Sequence, residues 1–182
     1  MSVVNIFNAE EKYNIIYADP PWQYKDNNCS GAAQKHYNTM KLPEICDLPI
    51  NNIADKNCVL FLWATYPMLE SAFHVIESWG FKYKTIGFQW IKRNSKTGGY
   101  FFGLGRYTRG NTEACLLAIK GKPSKFKISN GISQIIDYPV GKHSSKPPIV
   151  RDKIIELFGD LPRIELFARE QVEGWDCWGN EV

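Results

Sequence analysis

Residues 14–24 read NIIYADPPWQY, a run fit for a buried strand that ends in an acid, two prolines and a tryptophan. Asn14 to Ala18 is apolar and β-branched enough for a core strand, and it meets a strong breaker. Pro20 and Pro21 donate no backbone hydrogen bond, so the sheet must stop at Asp19. The chain therefore leaves the carboxyl end of a strand carrying a carboxylate, two stiff carbonyls and an aromatic plate. In open α/β sheets, ligands bind at that edge.

Outward from this stretch, Lys25 to Asn38 is polar and irregular and reads as a loop. Asn57 to Ala64 is a second buried strand. Thr65 is placed to cap a helix with Pro67 in its first turn, its inner face being Leu69, Ala72, Phe73, Ile76 and Trp79, with Gly80 as the stop. Phe81–Trp90 and Glu113–Lys120 are further strands, and a short one is expected within Ile132–Tyr138. Pro147 and Pro148 open a second helix with Val150, Ile154, Leu157 and Phe158 inward and Gly159 as its end. Arg163–Ala168 is the last strand. Strands alternating with helices predict one parallel-rich α/β domain spanning residues 1–182.

Composition narrows the class. With 44% hydrophobic and 14% aromatic residues over 182 positions, the chain can bury a core and should fold. Its longest apolar run, Val59 to Ala64, is far too short to span a bilayer, and MSVVNIFNAEEK lacks the shape of a signal peptide, so no membrane partner is expected. Cysteines at 29, 46, 58, 115 and 177 and histidines at 36, 74 and 143 are scattered, which argues for reduced thiols and against a metal site.

Charge is unevenly spread. Lys92 to Lys127 holds nine Lys or Arg and one acid, Glu113; that is +8, leaving −5 for the rest of a chain of net charge +3. This reads either as a polyanion-binding segment or as a solvated basic surface. Within it, residues 93–111 read RNSKTGGYFFGLGRYTRGN, too glycine-rich for a regular element. Cations at Arg93, Lys96, Arg106 and Arg109 interleaved with aromatics such as Tyr107 suit a nucleic-acid-facing loop, expected to order on its substrate.

The strand-end quartet suits methyl transfer to an exocyclic amino nitrogen of a base. That nitrogen's lone pair is conjugated into the ring, so it attacks poorly. Acceptors aimed at its two hydrogens help, because those hydrogens become acidic as the nitrogen turns tetrahedral. The Asp19 carboxylate and the Pro20 carbonyl can be such acceptors, stiffened by Pro21. Trp22 offers either a stacking face, worth ~1–3 kcal/mol for an extruded base, or an ordinary core ring.

YADPPW resembles the signature of the adenine 6-amino methyltransferases related to the eukaryotic mRNA adenosine methyltransferase, which include small bacterial and phage DNA enzymes. GRYTRGNTEACLLAIKG (105–121), HSSKP (143–147), RIELFARE (163–170) and GWDCWGNE (174–181) resemble later blocks of that family, in its order. The resemblance implies a Rossmann-like S-adenosylmethionine-dependent methyltransferase sandwich with one antiparallel strand and the catalytic motif ahead of the cofactor segment. It implies catalytic Asp19, Pro20, Pro21 and Trp22. It places Lys146 near the cofactor's carboxylate, Glu165 and Arg169 near its ribose, Phe167 on the pocket wall, Asn180 and Glu181 near its adenine, and Asp19 near the sulfonium. QKHYNTM (34–40) resembles a microbial segment, so His36 and Tyr37 flank the substrate or simply pack.

No glycine-rich turn follows the last strand, a departure from many cofactor sites of this kind. The expected activity is DNA adenine methylation in a bacterial or phage-infected cytoplasm, with a homodimer as one way to read several base pairs. RNA as substrate, or a non-catalytic nucleic-acid-binding partner subunit, are the rivals. The intact quartet argues against the second.

Overall fold

The computed structural model describes residues 2–24, 39–105, 107–141 and 145–182. Among them, seven strands form one sheet: β1 (Tyr13–Ala18), β2 (Ala54–Ala64), β3 (Lys82–Arg93), β4 (Thr112–Lys120), β5 (Ile135–Pro139), β6 (Arg163–Leu166) and β7 (Asp176–Trp178). Their order is β5-β3-β4-β2-β1-β6-β7. Every pairing is parallel except those of β4, which runs against both β2 and β3. The parallel-rich sandwich with a single reversed strand is thus realised.

The helices α1 (Leu42–Cys46), α2 (Ile50–Ile53), α3 (Leu69–Ser78) and α4 (Ile149–Phe158) cover the sheet. One core layer joins Ile16, Ala18, Leu60 and Leu62 to Ala72, Val75 and Ile76 of α3. The other joins Ile15, Tyr17, Phe61 and Trp63 to Val150, Ile154 and Phe158 of α4. Cover on both faces is why β1, β2 and β4 read as unbroken apolar runs rather than alternating ones. No helix among the described residues is long and apolar enough to cross a membrane.

Four details depart from the sequence reading. Thr65 does not cap through its side chain: the turn Tyr66–Met68 is 3₁₀, and the Thr65 hydroxyl meets the Tyr24 hydroxyl at 2.6 Å. Phe73 is not on the inner face of α3; it lies on the rim against Tyr83, while Val75 is buried. At about 100° per residue, Phe73 stands about 100° from Ala72, whereas Val75 stands only about 60° away. β7 went unassigned because three residues are too few to show a period. Finally, Leu157 is only half-buried in α4.

β1 sits where the sheet changes direction: its neighbour on one side is β2 and on the other β6. Crevices form at such switch points, outside the carboxyl ends of the strands. Asp19 stands at that position, one residue beyond β1.

Candidate active site

The parallel strands β1, β2, β3, β6 and β7 all end at one edge, and the reversed β4 begins there. That arrangement gathers residues far apart in sequence. A cleft at this edge is lined by Asp19, Pro20, Pro21, Trp22, Tyr24, Thr65, Glu113, Lys146 and Arg169. The whole quartet, whose Asp19 is also expected at the cofactor, therefore shares one cavity with Lys146 and Arg169.

Its floor is a chain of alternating charges. Lys92 Nζ lies 2.7 Å from Glu113 Oε2, Glu113 Oε1 lies 3.2 Å from Lys146 Nζ, and Lys146 Nζ donates to Asp19 Oδ2 at 2.7 Å. Lys146 precedes Pro147 and Pro148, whose fixed φ starts α4 and delivers the ammonium to the edge. Glu113, 3% exposed, was read from sequence only as the lone acid of a basic run. Its signal was present: a carboxylate opening an otherwise apolar strand must find cations inside the fold.

Burial raises the Asp19 carboxyl above the usual carboxylate value; Lys146 opposes this and Glu113 adds to it. Burial also pushes Glu113 upward, but Lys146 and Lys92 hold it below the usual value. Lys146 is held above its usual value by Asp19 and Glu113 against the cost of burial. The site thus keeps Glu113 and Lys146 charged and leaves Asp19 as its most readily protonated carboxylate.

The backbone of the quartet is partly committed. The Pro20 carbonyl accepts the Trp22 N–H at 2.8 Å, which leaves one lone pair directed elsewhere, and the Pro21 carbonyl accepts from Met40 at 2.9 Å. The Trp22 ring is 6% exposed and its N–H donates to the Trp63 carbonyl at 3.1 Å. The ring thus packs as a core side chain while still lining the cleft.

Beyond β6 and β7 the chain brings Arg169 to the cleft. Phe167 turns the chain with φ +60°, a conformation usually left to glycine, so a phenylalanine makes the turn where a glycine-rich one was missed. Its ring meets Trp178 edge-on at 5.3 Å. At Gly179 a Cβ would lie 2.3 Å from the Ala168 carbonyl oxygen, so only glycine lets the chain after β7 lie against the chain after β6. Arg169 and Glu181 then approach to 3.7 Å, and Asn180 stands exposed beside them. Of Phe167, Arg169, Asn180 and Glu181, Arg169 lines the cleft; Phe167 lies just before it in the chain, and Glu181, next to Asn180, pairs with it.

Glu165 and Lys146 are each held by ionic partners within the chain. Glu165 is clamped by Arg151 of α4, at 2.7 and 3.0 Å, so it is an internal anchor before it is anything else. Lys146 is engaged by two carboxylates. Arg93 is likewise occupied, gripping Asp137 on β5 at 2.7 and 2.6 Å and lying over Tyr100 at 4.2 Å. Lys96, Tyr107 and Arg109 are exposed. Arg106, His36 and Tyr37, with the loop expected at 25–38, lie outside the described residues.

The basic run is divided in two by the fold. β4 spans about 30 Å, so Lys96 and Arg109 lie at the cleft edge while Lys122, Lys125 and Lys127 lie at the opposite one. The glycine-rich segment is also hydrogen-bonded: Gly98 donates to Asn94, Phe101 to Lys92, and Gly103 and Gly110 exchange bonds at 3.0 and 3.3 Å. Between β3 and β4 it is a hydrogen-bonded hairpin loop of turns, bends and two isolated bridges, Arg93–Tyr100 and Gly103–Gly110, so the loop read from the sequence carries bonds of its own.

Residues 13–181 match the family described as MT-A70. The chain is 37% identical to the type II methyltransferase M.MunI of a Mycoplasma species, over 94% of this chain and 78% of that one. It is 26% identical to the human N(6)-adenine-specific methyltransferase METTL4, over 97% of this chain and 39% of that one. It is 27% identical to the human N(6)-adenosine-methyltransferase catalytic subunit METTL3, over 94% and 28% respectively. The chain thus spans well under half of either human relative.

Proposed function

This chain belongs to the MT-A70 family, and from that premise we propose that it methylates the 6-amino group of adenine in DNA, with S-adenosylmethionine as donor and the cleft at Asp19 as the reacting centre. One observation carries the assignment of the centre: a carboxylate at the sheet's switch point, raised by burial, backed by a buried lysine and flanked by a proline carbonyl with a lone pair to spare.

The donor fits the residues present. Lys146 and Arg169 match a carboxylate, Asp19 and Glu113 match an ammonium or sulfonium, and Phe167, Asn180 and Glu181, around Arg169, offer an apolar ring and polar groups for a planar base. When bound, it supplies an electrophilic methyl group. The protein's part is to ready the amino nitrogen. Asp19 Oδ2 is held by Lys146, which leaves Oδ1 to accept one amino hydrogen while the Pro20 carbonyl accepts the other. Withdrawing those hydrogens returns electron density to nitrogen, and Asp19 then takes the proton that nitrogen sheds. A raised pKa makes Asp19 a better base than an ordinary carboxylate. Lys146 fixes its rotamer, so little reorganisation is needed in the transition state.

DNA is supported by the exposed cations and aromatics of the hairpin beside the cleft, and by similarity to a bacterial methyltransferase over 78% of its length. Single-turnover methylation by Asp19→Ala tests the site. Loss of one preorganised acceptor should slow the chemical step by about 10²- to 10³-fold, with calorimetric donor affinity within a few-fold of the parent. Parental single-turnover rates in the variant would remove Asp19 from the chemistry. Lys146→Ala and Asn180→Ala should each weaken donor binding without altering affinity for DNA alone.

A further inference from the structure

The hairpin beyond the cleft carries side chains that neither the fold nor the chemistry uses. Its base is fixed: Arg93 pairs with Asp137, Tyr100 lies under the Arg93 guanidinium, and Lys92 is tied to Glu113. Its turn is tight: a Cβ at Gly105 would lie 1.9 Å from the Thr108 carbonyl oxygen, so the tip closes only around glycine. On this loop Phe102, next to the Gly103–Gly110 bridge, is 68% exposed, and Leu104 and Tyr107, beyond the bridge, are 72% and 97% exposed. Three large apolar side chains left in water within six residues mark an interaction site.

The surroundings say what it meets. Residues 92–111 hold five Lys or Arg and no acid, which suits a polyanion. A second copy of the chain fits badly, because it would bring two such cationic tips together. Tyr107 stands four residues from Asn111, a reach of at most about 13 Å, comparable with the width of one groove of a duplex whose base is in the cleft. Taking a base out of a duplex leaves a gap in the stack, and proteins that distort DNA insert apolar side chains between base steps.

We infer that Phe102, Leu104 and Tyr107 enter double-stranded DNA beside the target adenine and hold the gap left when it turns into the cleft. This rests on the DNA reading above. It assigns the tip a role in duplex opening, distinct from phosphate contact and from catalysis.

The test compares the parent with Phe102→Ala/Leu104→Ala/Tyr107→Ala on one sequence pool, as duplex and as single strands. Two readouts are taken: methylation, and permanganate reactivity of thymines in the bound duplex. An unpaired adenine needs no extrusion. The variant should therefore lose at least tenfold in kcat/KM on duplex, stay within twofold on single strands, and lose the thymine reactivity that the parent induces. Phe102→Leu/Tyr107→Phe, which keeps apolar bulk, should retain most duplex activity, and unchanged donor affinity controls for folding. Equal losses on both substrates, thymines equally reactive with parent and variant, or a smaller solution mass for the variant by light scattering would each overturn the inference; the last would make the tip a self-association surface. A parent that methylates neither form of DNA would bring down the DNA reading, and this inference with it.

Discussion

Glu113 shows how much of the site lies beyond single-residue reading. Asp19 was legible because two prolines and a tryptophan follow it at a strand end, a local signature. Glu113 carries no such mark; its role comes from β4 running backwards, which sets the first residues of that strand beside the last ones of β2. At Trp22 the sequence leaves both a stacking plate and a packed ring open. Two predictions belong here. The acid limb of kcat/KM should lie above the usual carboxylate range, because burial and Glu113 raise Asp19 and activity requires its charged form. Lowering the pH through that raised pKa protonates Asp19 and removes the acceptor. Glu113→Gln deletes one negative neighbour, so Asp19 should titrate lower and the limb should move to lower pH. A limb unmoved, or moved upward, would separate Glu113 from Asp19. Trp22→Ala should cost about 3–5 kcal/mol in urea unfolding, as expected for an emptied core site; a cost under about 1 kcal/mol would contradict the packed ring.

At the scale of elements, strands with long apolar runs were legible to within a few residues, since burial on both faces leaves little else for them to be. β7, the short α1 and α2, and the hairpin were not, because three to five residues show no period and the hairpin's bonds join loop residues that carry no strand pattern. The Arg151–Glu165 clamp was not legible either, because it joins α4 to β6; each side chain is 12% exposed. Arg151→Ala strands a buried carboxylate that burial already pushes upward. Breaking a buried pair from one side costs about 3–5 kcal/mol, and partial exposure puts this one near the lower figure. Urea unfolding of Arg151→Ala should show a loss of about 3 kcal/mol, with Arg151→Met/Glu165→Leu recovering most of it. A single variant as stable as the parent would make the clamp ornamental.

Over the whole molecule, the charge count was correct and its placement was not. Sequence joins Lys92 to Lys127 in one basic run, but β4 sends its halves to opposite edges of the sheet. Only the half at the cleft can serve the proposed substrate. Each phosphate contact on a duplex contributes about 0.9 to the log–log dependence of affinity on salt. Lys96→Gln/Arg109→Gln should therefore flatten that slope by about 2, while Lys122→Gln/Lys125→Gln/Lys127→Gln leaves it unchanged. Equal effects from the two sets would mean that the whole basic surface acts as one field. The measurement closest to the central claim is the identity of the methylated nucleoside. Purified protein is incubated with S-adenosylmethionine and matched DNA and RNA pools, which are then digested to nucleosides. The expected product is N6-methyl-2′-deoxyadenosine from DNA, formed about 10²- to 10³-fold more slowly with Asp19→Ala. Methyl groups found only in RNA, or on cytosine, or on neither pool while the donor is bound, would contradict the account.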